Sequence, residues 1–300
     1  MIKRTLYFGN PTYLRVQQQQ LVVEIPLTKE QHYIPIEDIG LIMLDNPQIT
    51  ISHVLIEKLL ENNCALVTCD AKHLPVGLML PLDGNTLQSE RWKQQIEASA
   101  PLKKQLWQQT VEAKIANQAR VLEYAGFDAS KLWYLSERVQ SGDVRNNEAV
   151  AAAHYWATLF SDYKENFLRD PIGDAPNHLL NYGYAILRAI VARGLVGSGL
   201  LPTLGLHHHN KYNAYCLADD IMEPYRPFVD RLVFDMLRSG DCSETLEKQH
   251  KATLLTIPTL DILIKKKRSP LMVGLQDTTA SLSKCYANEL KRIVYPEIIF

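Results

Sequence analysis

The apolar residues of this chain change period once, and that change limits what the chain can fold into. Before Pro75 the apolar runs are four to six residues long: Leu21 to Ile25, Tyr33 to Ile36, Ile39 to Leu44, Gln48 to Ile51 and Ala65 to Cys69. Pro, Asn, Asp and Gly separate them, which is the pattern of short strands. One helix interrupts the series, because Ser52 can cap a run that carries Val54, Leu55, Leu59 and Leu60 on one face. Between Pro75 and Asn85 stand Pro75, Gly77, Pro81, Asp83 and Gly84, a density of breakers that suits a linker. Beyond it the spacing becomes three to four. Trp92, Ile96, Leu106, Trp107, Val111, Ile115, Ala119 and Leu122 follow that spacing up to Tyr124, with a break at Pro101. Further helical segments are expected over Leu132 to Val139, Glu148 to Phe160, Leu179 to Arg193, Tyr212 to Met222, Pro227 to Leu237 and Thr278 to Leu290. The fold class is therefore α+β. A small β-rich N-terminal domain, β-sandwich-like with one helix, spans residues 1–76; a linker spans 77–89; a larger all-α domain spans 90–300.

A chain of 300 residues with 46% hydrophobic content can bury a core of its own. Its formal net charge of −1 gives no global field to attract a polyanion, so any nucleic-acid site must be a local patch. The candidates are Lys265, Lys266, Lys267 and Arg268, the helix with Lys103, Lys104 and Lys114, and the segment with Arg188 and Arg193. Five scattered cysteines, Cys64, Cys69, Cys216, Cys242 and Cys285, form no Cys-x-x-Cys pair and indicate neither a disulfide framework nor a zinc ribbon. The expected compartment is a reducing cytoplasm. The opening Met1 to Asn10 breaks at Gly9, Asn10 and Pro11 before an export-type apolar run develops. The most apolar stretch, Tyr184 to Leu201, contains Arg188 and Arg193, so it reads as a buried helix and no membrane is expected as a partner.

Chemistry concentrates between Gly205 and Asp230, where His207, His208 and His209 are followed by Asp219, Asp220 and Glu223. Three consecutive histidines seldom all reach one ion, which argues against zinc. One histidine joined by carboxylates from two other segments suits a harder ion, magnesium or manganese. Glu148, opening a helical segment, supplies the second carboxylate, although an acid in a first turn is also favoured by the helix dipole alone. Glu223 precedes Pro224 and should lie at a kink or helix end. A plain ion pair of Glu223 or Asp220 with Arg226 is the competing explanation for the acids. Asn210, Lys211, Tyr212 and Asn213 add donors and a cation beside the histidines, as phosphodiester positioning requires. From these residues alone, a generic metal-dependent phosphoesterase ranks first.

The Gly205-Leu-His-His208 element, followed by Asp220-Ile-Met-Glu-Pro-Tyr-Arg-Pro-Phe-Val-Asp230 and preceded by the helix-opening Glu148, resembles the CRISPR-associated adaptation integrase family. Ile51 to Ile56, Cys69 to Gly77 and Ala113 to Gln118 are similar to the branch that works beside an RNA-guided single-protein effector nuclease, as in type II systems. The resemblance covers nearly the whole chain. It implies that Glu148, His208 and Glu223 are the metal-binding and catalytic residues, with Asp220 as an accompanying acid and His208 completing Gly-x-x-His from Gly205. It also implies Mg2+ or Mn2+ as cofactor, double-stranded DNA (fragment and CRISPR repeat) as substrate, and a homodimer formed through the N-terminal domain. A small companion adaptation protein, and the effector nuclease itself, are the further partners it implies. The expected activity is that of a DNA endonuclease and integrase: a DNA 3′-hydroxyl attacks a phosphodiester, so that short foreign fragments are joined into the repeat array. Arg145, Lys211 and Lys265 to Arg268 are the candidate phosphate contacts. Two alternatives stand beside this expectation: a metal-dependent DNA phosphodiesterase or nuclease without integration, and a non-enzymatic DNA-binding scaffold.

Overall fold

The computed structural model describes residues 3–165, 167–170, 173, 175–241 and 243–300. Eight short strands build the N-terminal region: β1 Arg4–Phe8, β2 Tyr13–Gln17, β3 Gln20–Glu24, β4 Gln31–Pro35, β5 Ile39–Leu44, β6 Thr50–Ile51, β7 Ala65–Cys69 and β8 Pro75–Met79, with helix α1 His53–Glu61 between β6 and β7. They form two four-stranded sheets, ordered β4-β3-β2-β6 and β1-β5-β7-β8. In the second sheet β1, β5 and β7 are parallel and β8 closes the edge antiparallel to β7.

Alternation along β7 and along β5, where a bulge at Gly40 turns Ile39 to the face of Ile42, explains how this sheet can be covered on both faces. Ile39, Ile42, Cys64 and Leu66 pack with Leu14, Leu21, Leu55 and Leu59 of the other sheet and α1. Leu41, Met43, Ala65 and Val67 point the opposite way and belong to the core of the helical region. The residues of one sheet therefore serve two cores.

The helical region contains α2 Gln88–Glu97, α3 Ala100–Ala125, α4 Ser130–Ser136, α5 Asn147–Leu159, α6 Asn177–Gly197, α7 Cys216–Met222, α8 Arg226–Arg238, α9 Lys248–Leu254 and α10 Leu271–Tyr286. Ser99 accepts a hydrogen bond from the Leu102 amide and Pro101 fits the first turn of α3, so the expected proline break is a helix start. Helix α6 is long and apolar enough to cross a membrane by length and composition, but 72% of its most apolar window is buried inside the protein. It is the central core helix. The thiols of Cys64, Cys69, Cys216 and Cys285 are free. Cys242 lies outside the described residues.

Four expectations change. β8 and the first residues of α2 enter the expected linker of residues 77–89, leaving 80–87 irregular. Pro75 opens an edge strand, where its missing N–H costs little, and a Cβ at Gly77 would strike Thr68, so both breakers are strand residues here. Within the region expected to be all-α, β9 Asp261–Ile264 and β10 Lys267–Pro270 form a hairpin, its tight turn made by Lys265 and Lys266 at φ of 49° and 61°. Four-residue strands are too short to give a period. Finally, the expected helix over Tyr212 to Met222 begins only at Cys216, because Asn210 and Asn213 accept from the Tyr212 and Tyr215 amides and hold a turn. The last helix starts at Leu271, directly after Pro270 and ahead of the expected Thr278.

Deep in the helical core, Asp230 on α8 accepts hydrogen bonds from Tyr184 of α6 and Tyr155 of α5. Burial pushes its carboxyl from 3.8 up to about 7 despite both bonds. Between those two pH values the unfolded chain has lost the proton and the folded chain keeps it, so stability falls as pH rises through this window. Asp230→Asn should remove that loss. Relative to wild type, the variant should gain on the order of 2–4 kcal/mol between about pH 4 and about pH 8 in urea unfolding. A pH-independent difference between the two proteins would contradict the buried, protonated carboxyl.

Candidate active site

Glu148 lies in the first turn of α5, as its position after Asn146 and Asn147 suggested. It is not the cap. Asp143 accepts from the amides of Asn147 and Glu148, each at 2.9 Å, and so meets the capping demand itself. Asn146 turns the chain into the helix at φ 55°, a conformation asparagine tolerates. Glu148 Oε1 is thereby free to meet Lys114 Nζ of α3 at 2.7 Å.

Glu223 sits where α7 ends, in a one-turn 3-10 segment Glu223–Tyr225 that Pro224 and Pro227 impose before α8. Its side chain is 6% exposed, and it contacts Lys114 Nζ at 2.6 Å and Arg226 Nε at 3.0 Å. Neither contact is well directed: Glu223 Oε2 and Arg226 Nε are buried and form no hydrogen bond of good angle despite these short distances. Burial alone would push the Glu223 carboxyl up, but Arg226 and Lys114 hold it below the usual carboxylate value. Lys114, which burial alone would discharge, is kept above its usual value by Glu223 and Glu148. The expected Glu223–Arg226 pair is therefore present, within a larger network.

Asp220 has no exposed side-chain surface and is fully used. Its Oδ2 accepts from the amides of Leu206 at 2.6 Å and His207 at 2.9 Å, and its Oδ1 lies 2.5 Å from His208 Nδ1. This contact fixes the imidazole and leaves Nε2 with the free lone pair, the arrangement common for a metal-binding histidine. The hydrogen bond to Asp220, reinforced by Glu223 and Glu148, raises the pKa of His208. The neighbouring histidines go elsewhere. His207 stacks on Trp107 at 4.4 Å and 4°, while His209 is exposed. Asp219 pairs with Arg188 at 2.6 Å and with Asn213 at 2.7 Å.

The structure thus brings Glu148, Glu223 and His208 to one place, with Asp220 behind the histidine. Among the described residues no three acids, histidines or cysteines stand close enough to hold an ion together as they are: Glu148 and Glu223 meet through Lys114, with His208 near enough to feel both charges, and the donor set itself, two carboxylates and one imidazole, is of the kind a hard divalent ion takes. Arg145, three residues before Glu148, and Lys211, three after His208, are exposed near the site in sequence. The Lys265 to Arg268 cluster is not brought there. Tyr286 at the end of α10 feels the charge of Asp220, whereas the hairpin packs against the first half of this 16-residue helix, on the order of 14 Å or more back along its axis. Lys265 is also paired with Asp277 at 2.5 Å. Sequence reading missed Lys114 as a site residue, grouping it with surface lysines. The signal was its place between Val111 and Ile115, both buried. It also missed Asn117, whose amide donates to the carbonyls of Pro224 and Pro296 and so ties the Glu223 turn to α3 and the C-terminal segment.

A β-rich region joined to a helical domain that carries a buried Glu223, a half-buried Glu148 and an exposed His208 beside them defines the class of protein, and the comparisons agree with it. The chain belongs to the CRISPR associated protein Cas1 family, whose model matches residues 6–268. It is 37% identical to the CRISPR-associated endonuclease Cas1 of Neisseria meningitidis serogroup C (strain 8013), over 100% of this chain and 97% of that protein. It is 29% identical to a CRISPR-associated endonuclease Cas1 of Pyrobaculum aerophilum over 74% of this chain and 79% of that one. Among solved structures, a casposase bound to integration product aligns with a TM-score of 0.80 at 19% identity, over 98% of this chain and 92% of that one. A Cas1 protein from Thermotoga maritima aligns at 0.76 with 16% identity, over 95% and 98%. These two likenesses establish the α+β fold.

The Gly205 turn is the tightest point of the site. A Cβ there would run into the His208 carbonyl oxygen and approach Asp220 Oδ2 to 2.9 Å. Gly205→Ala should therefore destabilise the protein by about 1–3 kcal/mol in urea unfolding. A variant of unchanged stability would show that the 205–208 turn relaxes freely.

Proposed function

We infer that the chain is a CRISPR adaptation integrase and DNA endonuclease, which joins the 3′-hydroxyl ends of short foreign DNA fragments into the repeat array by transesterification. The observation that carries this reading is the convergence of two carboxylates from separate elements, Glu148 and Glu223, beside an imidazole aligned by Asp220. The relatives add support: the Neisseria protein is called an endonuclease and the structural neighbour is a casposase bound to integration product.

In this reading Glu148, His208 Nε2 and Glu223 hold one Mg2+ or Mn2+. When bound, such an ion supplies Lewis-acid stabilisation of charge on the phosphoryl oxygens and favours the ionised attacking hydroxyl. The chain's own residues do the rest. Asp220 keeps His208 in the tautomer with Nδ1 protonated, so that Nε2 can donate its lone pair. Asn117 fixes the Pro224 carbonyl, and with it the Glu223 turn. Arg226 holds the far side of Glu223, its guanidinium 4.8 Å from the Tyr184 ring centre. In the reaction a new bond forms between the DNA 3′-oxygen and phosphorus. The bond to the leaving 3′-oxygen breaks, and the proton lost by the nucleophile is returned to the leaving group through solvent. Phosphodiesters are exchanged one for one, so the site should also work backwards on branched DNA.

In this reading Arg145 and Lys211, both exposed, contact phosphates at the site. The Lys265 to Arg268 hairpin, outside the Glu148–Glu223 cluster, would meet a more distant part of the duplex. A homodimer through the β-rich domain, a small companion adaptation protein and a type II-like setting with an RNA-guided effector belong to the same proposal, as does action in the cytoplasm. Solved neighbours include an assembly described as a partial Cas6-RT-Cas1–Cas2 complex, at a TM-score of 0.67.

The test uses labelled branched DNA that mimics a half-integrated intermediate, incubated with Mn2+ or with chelator. Wild type should rejoin strands only with metal, and Glu148→Ala, His208→Ala and Glu223→Ala should each lower joining by about 10³-fold or more while remaining folded. Hydrolysed fragments without joining would favour the nuclease alternative. DNA binding without any reaction would favour a scaffold.

A further inference from the structure

We propose that Lys114 is a displaceable counter-ion of this site, whose ammonium competes with the divalent cation for Glu148 and Glu223 and sets how tightly that cation is held. The proposal rests on the metal reading above. Lys114 Nζ lies 2.7 Å from Glu148 Oε1 and 2.6 Å from Glu223 Oε2, so a single ammonium spans both carboxylates. An ion coordinated by both acids needs these same oxygens.

Charge bookkeeping leads the same way. Glu148, Glu223 and Asp220 contribute three negative charges and Lys114 and Arg226 two positive ones, so with His208 neutral the cluster carries a formal charge of −1. A divalent ion added to that set would leave one uncompensated positive charge in a largely buried volume, where it is expensive. The ammonium must move for the ion to be well held. Of the two cations, Lys114 is the one built to move. Its charge sits at the end of four rotatable methylenes. Arg226 is held against the Tyr184 ring and meets the other oxygen of Glu223, Oε1. The poor angle at Glu223 Oε2, despite its 2.6 Å distance to Nζ, fits a contact held by charge rather than by a directed hydrogen bond.

Such a residue keeps two buried acids charged and close together until the ion arrives. The cost is lower ion affinity. Direct Mn2+ binding to the full-length protein, followed by electron paramagnetic resonance of the free ion, separates these effects from activity, and melting in chelator and in Mn2+ supplies a second readout. Lys114→Met should bind Mn2+ at least about tenfold more tightly than wild type, melt lower in chelator, and gain more melting temperature from Mn2+. Lys114→Arg, which keeps the charge, should bind no more tightly than wild type.

Equal or weaker binding by Lys114→Met would overturn the proposal, since Lys114 would then be holding the carboxylates in place for the ion rather than opposing it. Glu148→Gln separates this failure from failure of the metal reading. If wild type binds no Mn2+ that depends on Glu148, the site is not a metal site and both ideas fall together. Should Lys114→Met unfold when stripped of metal, the double variant Lys114→Met/Glu148→Gln, which loses one charge of each sign, should melt within a few degrees of Glu148→Gln. A double variant that melts as low as Lys114→Met would also overturn the proposal.

Discussion

Two carboxylates buried one helical turn apart, Asp220 and Glu223, are the constraint around which the helical region is arranged. A buried carboxylate is tolerated only with partners, and each of these takes partners from a different part of the chain. Asp220 draws in the 205–208 turn through the amides of Leu206 and His207 and the His208 ring. Glu223 draws in α3 through Lys114, and through Lys114 also α5 with Glu148. The kink at Pro224 lets successive acids face different partners, which an unbroken helix would hold on one stripe. Each acid thus ties distant segments to the kink between α7 and α8.

The β-rich region is bound to this arrangement more closely than a linker of breakers suggests. Leu41, Met43, Ala65 and Val67 are core residues of the helical region although they lie on β5 and β7. Buried polar contacts reinforce the join: Lys251 Nζ meets Asp45 Oδ2 at 2.8 Å, and Arg193 Nε donates to the Asn63 carbonyl at 2.5 Å. Breaking the Lys251–Asp45 pair would leave a buried charge unpartnered, so this junction resists sliding as well as separation. Orientation of the β-rich surface relative to the site is thus fixed by packing, which matters for any assembly that must place two sites on one duplex.

Much of the fold was legible because period is a local property. The switch from alternating to helical spacing near Pro75 and the helix start at Glu148 both depend on neighbours in sequence, and both are found in the structure. The kink at Glu223 was equally readable, since proline acts on the residue before it. The breakers Pro75 and Gly77 misled for a physical reason: edge position and close approach to Thr68 are tertiary facts. The same limit hid Lys114. On a helix with other lysines it reads as surface charge, and only the arrival of acids from two distant segments makes its burial affordable. Which histidine is oriented by an acid could not be read from spacing alone either. That choice is made by Trp107, which takes His207 by stacking, and by Asp220, which takes His208.

The way these charges are partnered separates the groups that hold the site together from those left adjustable. Asp220 and Asp219 are bound by directed hydrogen bonds to backbone, guanidinium or amide groups, and such bonds fix orientation. Glu148 and Glu223 instead share one flexible ammonium, and the contacts of Glu223 to it and to Arg226 are poorly aligned. Coulomb attraction without a directed bond gives stability but little geometric specificity. A purely structural ion-pair cluster gains nothing from that looseness, because a well-aligned arginine would satisfy the same acids better. A site that must exchange one cation for another, and accept phosphate oxygens beside it, does gain. The contrast between the rigid His208–Asp220 pair and the loosely held pair of glutamates is therefore the feature of the geometry that argues most directly for chemistry over scaffolding.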